Sequence, residues 1–313
     1  MTVLEVQDPG MQTTVQDLGR PGFGHFGVSA CGAADPLALR IGNRLLGNPD
    51  RAAALEMTLH GGRFLFRGAA WFALTGAEFG ATLDGLAVPL WNALPASAGQ
   101  SLALGGAQLG ARCYLCLRGG LDGPAVLGSR STHLPSRIGG LDGRALRKGD
   151  ALPIGAAAAD FTARRIRPAA IANLRPAGDL LRLTEAAQTA HFPAASRARL
   201  LAGSWTVQTD SSRMGVRLSG VPLAGPPGGS MITEGAPLGA IQVTPSGEPV
   251  ILGVDHQTTG GYPKIGCVIS ADRWRIGQLR PRQNVRFELV SFEHARRVLI
   301  EQEESLRPEV LGL

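Results

Sequence analysis

The chain has 313 residues, a formal net charge of +6 and 44% hydrophobic residues, which is a globular composition with room for two ordinary domains or one large β unit. The basic residues are almost all arginines and lie scattered, so the charge does not indicate a nucleic-acid-binding protein. No stretch reaches the roughly 18 apolar residues of a membrane span, and the N-terminus lacks the pattern of a signal peptide. We therefore expect a cytoplasmic protein that binds neither nucleic acid nor a membrane.

Glycine and proline are abundant, with 43 and 21 residues, and they favour short strands joined by tight turns. Apolar runs bounded by Gly, Pro, Asp or Asn predict strands at 63–66, 70–74, 113–117, 250–254 and 285–290. The composition and these runs together predict a mainly β fold with a few short helices.

The clearest predicted helix begins at Asp35-Pro36, with Asp35 as the N-cap and Pro36 in the first turn, and it ends near Gly47. Two more helices are expected at 193–201 and 293–306. A low-complexity stretch with two X-Pro steps suits an extended connection. It divides the chain into a first β-domain at 1–155, an extended linker at 156–180, and a second β-domain with a C-terminal helix at 181–313.

A C-x-x-C pair occurs at Cys113 and Cys116, inside a predicted strand. Side chains three positions apart in a strand point to opposite faces, whereas a metal or redox pair needs both thiols on one side. The pair is therefore predicted to be two buried structural thiols.

The first polar segment that could carry chemistry is the turn-rich stretch 10–22. Its backbone must be satisfied by side chains or by a ligand. Thr14, Gln16, Asp17 and Arg20 supply donors and acceptors of both kinds. Two interpretations stay open, namely a carboxylate and a guanidinium presented to a substrate, and a structural turn closed by an Asp–Arg pair.

A glycine-rich loop at 27–35 runs into a predicted helix N-terminus, which can hold an anion or can be closed by its own cap, Asp35. The segment 128–133 places Ser129 and Ser131 around Arg130, a composition that suits recognition of carboxylate or phosphate. It lacks the G-x-x-x-x-G-K-[ST] order of a Walker A loop. Any ATP must therefore be bound by another scaffold or by a partner chain.

Two arginines four positions apart, Arg213 and Arg217, flank a glycine in the segment 210–217. In an extended segment they share one face. They would then grip one anionic group together, or pair with Asp210.

The most specific segment is 255–266, because it contains Lys264, one of only two lysines in the chain. A desolvated lysine can hold an anion or act as an acid or base, and paired glycines let backbone approach a ligand closely. The alternative is a hairpin turn with solvated polar residues. The six histidines show no metal-binding spacing, so no metal site is predicted. The other residues of interest in this segment are Thr258, Thr259, Gly260, Gly261 and Tyr262.

Taken in this order, the segments resemble the allophanate-hydrolase-subunit-2-type family of biotin-dependent carboxyltransferase-like proteins. That family includes the C subunit of 5-oxoprolinase, a Kip-type antagonist of a kinase inhibitor, and part of the carboxyltransferase region of urea carboxylase. The resemblance spans roughly residues 3–290. Its most specific motifs lie at 13–22, 55–58, 128–132, 212–215, 234–235, 239–243 and 257–263.

The resemblance implies two cyclophilin-like β-barrel domains and a hetero-oligomer with a subunit-B-type partner and a subunit-A-type hydrolase. It implies a subunit of an ATP-dependent 5-oxoprolinase, which converts 5-oxo-L-proline, ATP and water into L-glutamate, ADP and phosphate. ATP, with its Mg²⁺, is expected to be held by the complex. Neither lysine has methionine neighbours, so no intrinsic biotin is expected.

Opening a lactam requires donors for the charge that develops on the amide oxygen, and the substrate also carries a carboxylate. The resemblance implies catalytic roles for Lys264, Arg213 and Asp17. The residues expected to bind substrate are Thr14, Gln16, Arg20, Ser129, Arg130, Ser131, Arg217, Gln242, Thr258, Thr259, Gly260, Gly261 and Tyr262.

Two other functions remain open for members of this family. One is the carboxyltransferase component of a biotin-dependent urea or amide carboxylase, and the other is a non-catalytic regulator that binds a kinase inhibitor. The chain also departs from the family pattern. His256 stands where Arg is usual, His133 stands where Tyr is frequent, and Pro281-Arg-Gln replaces Pro-Gly-Asp. The two histidines adjoin site segments, which leaves open a substrate other than 5-oxoproline.

Overall fold

The computed structural model describes residues 2–158, 160–226 and 231–313. Strands dominate these ranges, and the mainly β prediction is confirmed. The strands are β1 (Val3–Asp8), β2 (Thr13–Gln16), β3 (Ala54–Thr58), β4 (Arg63–Phe66), β5 (Ala70–Glu78), β6 (Thr82–Leu83), β7 (Leu86–Ala87), β8 (Ala93–Ala96), β9 (Ser101–Ala103), β10 (Leu109–Leu117), β11 (Ala151–Pro153), β12 (Leu180–Thr184), β13 (Trp205–Val207), β14 (Gly215–Ser219), β15 (Glu234–Gly235), β16 (Ala240–Val243), β17 (Pro249–Leu252), β18 (Thr259–Gly260), β19 (Lys264–Val268) and β20 (Asn284–Leu289).

Helices are fewer and mostly short. They are α1 (Pro36–Leu45), α2 (Pro168–Leu174), α3 (Ala194–Ala202), α4 (Arg273–Ile276), α5 (Phe292–Ser305) and α6 (Pro308–Leu311), with single 3₁₀ turns at Gly24–Phe26, Thr189–His191 and Ser270–Asp272. Within the described ranges, none of these helices combines the length and apolarity needed to cross a membrane. The five predicted strands correspond to β4, β5, β10, β17 and β20, and the three predicted helices correspond to α1, α3 and α5.

The chain forms two compact units. The first comprises Met1–Arg20, Cys31–Asn173 and Leu306–Leu313, and the second comprises Pro21–Ala30 and Leu174–Ser305. The division derived from the sequence at 156–180 stays a prediction. The units differ from it at residues 21–30 and 306–313, and α2 forms a helix inside the predicted extended linker.

The first unit packs two antiparallel sheets around one core. One sheet has the order β11-β1-β4-β9-β6-β7 and the other has the order β2-β3-β10-β5-β8. Alternate residues of both sheets point into the shared core, where Phe64, Phe66 and Phe72 are completely buried. Burying each such side chain contributes roughly 1.5–3 kcal/mol.

Strand β10 shows how this alternation places the C-x-x-C pair. Cys113 belongs to the core between the sheets, whereas the Cys116 thiol lies against α1, where a Cβ built on Gly42 would come within 2.5 Å of its Sγ. Both thiols are free and buried, as predicted. Burial raises the pKa of Cys116 to about 12 and raises that of Cys113 still further. These thiols are packing residues on opposite faces of one strand.

The N-terminus of α1 is closed by protein carboxylates. Asp35 Oδ1 accepts a hydrogen bond from the Ala38 N–H at 2.9 Å. Glu56 Oε2 accepts from the Ala34 N–H at 2.9 Å and from the Tyr114 hydroxyl at 2.6 Å. These carboxylates supply the negative charge that a helix N-terminus favours. Of the two interpretations of 27–35, the structure therefore supports the capped helix start.

The second unit is built around a closed barrel with the order β12-β19-β16-β17-β14-β13-β20, in which β20 returns to pair with β12 in parallel. Its core includes Trp205, Leu218, Ile241 and Phe287. A separate two-stranded sheet, β15-β18, joins Glu234–Gly235 to Thr259–Gly260.

Candidate functional site

A row of residues crosses four neighbouring strands of the barrel in the second unit. Arg217 pairs with Val250, Val250 pairs with Gln242, and Gln242 pairs with Lys264. Their sequence neighbours Val216, Ile241 and Ile265 fill the barrel core. Because strand side chains alternate, the row belongs to the outer face of the barrel.

The register between β16 and β19 shifts next to Lys264. Ile241 pairs with Gly266 whereas Gln242 pairs with Lys264, so Ile265 is an extra residue on β19. Such bulges redirect the side chains beside them and recur near active sites. The bulge is the local feature that places Lys264 opposite Gln242.

Lys264 is only 4% exposed. Its Nζ forms an ion pair with Glu234 Oε1, and it makes no hydrogen bond of acceptable geometry to any residue in the described ranges. An ammonium group has three donors. Lys264 therefore keeps donor capacity beyond its pairing with Glu234, as expected of a group that binds an anion or stabilises a developing oxyanion.

The segment 258–262 lies beside Gln242. The Gln242 amide, 3% exposed, donates from Nε2 to the Tyr262 carbonyl at 3.5 Å. A Cβ built on Gly260 would come within 2.6 Å of that Nε2, so a larger residue there would require the Gln242 amide to shift. Within this segment, Thr259–Gly260 pairs with Glu234–Gly235. We call Gln188, Glu234, Gln242, Lys264 and 258–262 the Lys264 cluster.

Gln188 and Glu234 of this cluster were missed as site residues. In the sequence, Glu234 belongs to the short motif 234–235, and it stands on the two-residue strand β15. Gln188 lies in a turn whose sequence contains no motif that would mark it as a site residue. The close pairing with the Lys264 side chain, and then the hydrogen bond from Gln188, lower the pKa of Glu234 below its ordinary value. The carboxylate therefore stays ionised beside the lysine at neutral pH.

Arg213 and Arg217 pair with different protein carboxylates. Arg213 is buried and bonds Asp255 through both ends of its guanidinium, at 2.8 and 3.0 Å. Arg217 is about half exposed and pairs with Asp210 at 3.2 Å. The chain turns between them, because the Ser212 N–H donates to the Gly215 carbonyl. The expectation of one shared face is wrong, since that rule holds only for an extended segment.

A second polar cluster lies in the first unit around Asp17, which is 4% exposed. Its carboxylate accepts from the Ser129 and Ser131 hydroxyls, both at 2.6 Å, and from the Gly19 and Arg130 backbone N–H groups, both at 2.7 Å. Oδ1 accepts three of these hydrogen bonds, and Oδ2 accepts the one from Arg130. This geometry favours a positioning role, in which Asp17 holds the loop 128–132.

Arg20 completes the attachment of the same loop from the acceptor side. Its guanidinium donates to the carbonyls of Val126 and Ser131. Asp17 thus accepts hydrogen bonds from the donors of this loop, and Arg20 donates hydrogen bonds to its carbonyl oxygens. The side chain is 1% exposed, and its Nη1 has no hydrogen-bond partner within the part of the chain that the structure describes.

Gln16 and Thr14 extend this cluster. Gln16 Nε2 donates to Thr14 Oγ1 and to the Thr132 carbonyl, both at 3.0 Å, and all three residues are buried. The Arg130 side chain points outward by contrast, pairing with Asp122 at 3.1 Å while it remains 39% exposed. We call Thr14, Gln16, Asp17, Arg20 and Ser129–Ser131 together the Asp17 cluster.

The two histidines that depart from the family pattern are both buried. Burial lowers the pKa of His256, partly offset by a 2.6 Å contact between its Nδ1 and the Gln257 carbonyl. His133 Nε2 has no hydrogen-bond partner among the described residues. In the same ranges no group of His, Cys, Asp and Glu is arranged to hold a metal ion.

Comparison with known proteins assigns the family. The carboxyltransferase domain model, subdomain A and B, matches residues 26–289. The chain belongs to this carboxyltransferase-domain family. The matched range includes every residue of the Lys264 cluster, and it includes Ser129–Ser131 of the Asp17 cluster.

Two curated relatives in this family match nearly the whole chain. The C subunit of 5-oxoprolinase from Escherichia coli (strain K12) is 42% identical over 294 residues, which are 94% of this chain and 93% of the relative. The Haemophilus influenzae protein of the same name is 39% identical over 293 residues, again 94% and 93%. Both names denote subunits, which implies that these relatives work in complexes of several chains.

A solved family member has the same fold in a larger setting. The structure of the K. lactis urea amidolyase matches with a TM-score of 0.90 and 31% identity, covering 97% of this chain. The present chain spans only 20% of that polypeptide.

Proposed function

We propose that this chain is a subunit of an ATP-dependent 5-oxoprolinase, which converts 5-oxo-L-proline, ATP and water into L-glutamate, ADP and phosphate. The observation that carries the proposal is the 42% identity to the C subunit of the E. coli 5-oxoprolinase over 94% of this chain. The chain would act in the cytoplasm with subunit-B-type and subunit-A-type partners.

The Lys264 cluster supports a part in lactam opening. A lactam amide is stabilised by resonance, and negative charge develops on its oxygen as the ring opens. A buried ammonium with spare donors stabilises that charge most effectively in a site that excludes water. In this proposal Lys264 donates to the lactam oxygen, and Glu234 holds the ammonium in place.

Arg217 is the proposed partner of the substrate carboxylate. Neighbouring strands lie about 4.8 Å apart, so three steps place the backbones of Arg217 and Lys264 about 14 Å apart, within joint reach of two long side chains. The ion pair of Arg217 with Asp210 is exposed on both sides, 47% and 61%. Exchanging such a pair for a substrate carboxylate costs little.

ATP binding is assigned to the assembled complex, because this chain has no Walker A segment and its Ser-Arg-Ser loop is occupied by Asp17. The residues of this chain would orient the lactam, hold its carboxylate and keep water from the ammonium.

The decisive experiment co-expresses the chain with its subunit-A-type and subunit-B-type partners and measures glutamate and ADP after addition of 5-oxoproline and ATP. We expect stoichiometric glutamate that is lost when this chain is omitted. An assembled complex that hydrolyses ATP without forming glutamate would exclude 5-oxoproline as the substrate.

A second function is supported by the fold match to urea amidolyase at a TM-score of 0.90. It is the carboxyltransferase component of a biotin-dependent urea or amide carboxylase, with biotin carried by another protein. The same complex, supplied with a biotinylated carrier, bicarbonate and urea, would then carboxylate urea and leave 5-oxoproline unchanged.

A further inference from the structure

The side-chain amide of Gln188 bridges the Glu234 carboxylate and the backbone N–H of Lys264, the two residues of the ion pair. Its Nε2 donates to Glu234 Oε1 at 2.9 Å, and its Oε1 accepts from the Lys264 backbone N–H at 3.4 Å. The amide cannot be reversed, because its NH₂ would then face an N–H and its oxygen would face a carboxylate. One buried side chain, 8% exposed, therefore contacts both partners.

The turn that carries Gln188 is attached to β19 independently of Glu234. Thr189 Oγ1 donates to the Ile265 carbonyl at 2.8 Å, and it accepts from the Ala186 N–H at 2.7 Å. The turn thus contacts two consecutive residues of β19, Lys264 and Ile265. These hydrogen bonds hold the Gln188 amide in place without any contribution from Glu234.

Glu234 is held far less firmly by its own strand. Strand β15 has two residues, which pair with Gly260 and Thr259 of β18. The Glu234 side chain is 40% exposed, whereas that of Lys264 is 5% exposed. A partly exposed glutamate loses rotamer entropy when it is held in one ion pair, and water competes for it.

We propose that Gln188 is the positioning residue of this pair, holding the Glu234 carboxylate against Lys264 Nζ and so fixing the ammonium for its ligand. The catalytic consequence rests on the function proposed above, whereas the positioning itself does not. The charged group facing Glu234 is Lys264 of β19. Strand β18 contributes Gly260, and the turn contributes the neutral Gln188.

The presence of only two lysines permits a direct test. The full chain is treated with an amine-acylating reagent, and acylation of Lys264 relative to the exposed Lys148 is measured by mass spectrometry. In Gln188→Leu, we expect Glu234 to leave the ammonium more often. The acylation rate of Lys264 should then rise about twofold to fivefold. This range corresponds to the interaction free energy of a partly exposed ion pair.

Two further variants make the result specific. Glu234→Gln removes the counter-charge and should raise the Lys264 rate at least as much. Gln208→Leu removes a matched Gln–Glu hydrogen bond, 3.2 Å from Gln208 Nε2 to Glu248 Oε1 in the same unit, and should leave the ratio unchanged. If Gln188→Leu does not fold, Gln188→Asn keeps the amide on a shorter side chain and gives the same comparison.

In the assembled complex, Gln188→Leu should lower kcat and leave the KM for 5-oxoproline nearly unchanged. An unchanged acylation ratio in Gln188→Leu, together with a raised ratio in Glu234→Gln, would overturn the positioning role. A raised ratio in a complex that does not turn over 5-oxoproline would retain the positioning role and reject the proposed function instead.

Discussion

Asp17 and Lys264 are both buried polar side chains, but their surroundings differ. Asp17 accepts four hydrogen bonds from its own neighbourhood. Lys264 has one carboxylate partner and spare donors. A carboxylate that accepts four hydrogen bonds from its own loops stabilises them, whereas an ammonium with unused donors can bind a ligand. The structure thereby separates two residues that the sequence predicts to be catalytic together.

Asp17→Asn should destabilise the protein, because the new amide hydrogens face backbone and hydroxyl donors. Hydrogen bonds to charged groups contribute about 1.5–3 kcal/mol each, so we expect a loss of about 3 kcal/mol or more. Urea unfolding measures this loss. Asp122→Asn removes an exposed ion pair with Arg130 and should cost less than about 1 kcal/mol. Equal stabilities of the two variants would contradict the role of Asp17 in holding the loop.

Arg217→Leu tests the proposed carboxylate partner. Losing a charge-assisted hydrogen bond to substrate should raise the KM for 5-oxoproline roughly tenfold or more, with a smaller change in kcat. Steady-state kinetics of the assembled complex measures both constants. Since the Arg217–Asp210 pair is exposed, stability should change by less than about 1 kcal/mol. A normal KM would remove Arg217 from the site.

At the scale of elements, the buried Arg213–Asp255 pair joins the segment before β14 to the segment after β17, two strands that pair in the barrel. The Asp255 N–H also donates to the Arg213 carbonyl. Arg213 therefore stabilises the rim of the barrel. A loss of activity when Arg213 is replaced would not by itself show that Arg213 is catalytic.

A double-mutant cycle separates these roles. Arg213→Met alone leaves the Asp255 carboxylate buried without its ion partner and should cost about 3–5 kcal/mol. The variant with both Arg213→Met and Asp255→Leu should be more stable than Arg213→Met, because no uncompensated charge remains. Thermal unfolding of the four proteins gives the coupling energy. Additive losses would show that the two side chains do not depend on each other.

The elements themselves were largely predictable from the sequence. Strands such as β4 and β10 follow from apolar runs bounded by turn residues, and α1 follows from Asp35-Pro36. Lys264 stood out because lysine is rare in this chain. These predictions succeed from the local sequence pattern, because each depends only on residues within one element.

The partners of the site residues were not predictable in the same way. Ser131 reaches Asp17 across 114 residues, and Gln188 reaches Lys264 across 76. No local pattern encodes such distances. The bulge at Ile265 and the turn at Ser212 also changed which side chains meet. Residue types indicated the chemistry, and only the tertiary structure showed which groups are already paired.

At the scale of the whole molecule, the central claim is that this chain contributes Lys264 to lactam hydrolysis in a complex of several subunits. The family assignment supports a role beside partner proteins, and the outer face of the barrel supplies the group. Of the two lysines in the chain, we therefore expect Lys264 and not Lys148 to be required for turnover. Lys264 is buried in its cluster, whereas Lys148 is exposed in a turn of the first unit.

The most direct measurement is glutamate release from 5-oxoproline and ATP by complexes containing the wild-type chain, Lys264→Met or Lys148→Met, with assembly checked by size-exclusion chromatography. We predict that Lys264→Met assembles but loses roughly 100-fold or more in kcat, the scale of removing one oxyanion donor. Lys148→Met should match the wild type. Near-normal turnover by an assembled Lys264→Met complex would contradict the proposed role of Lys264.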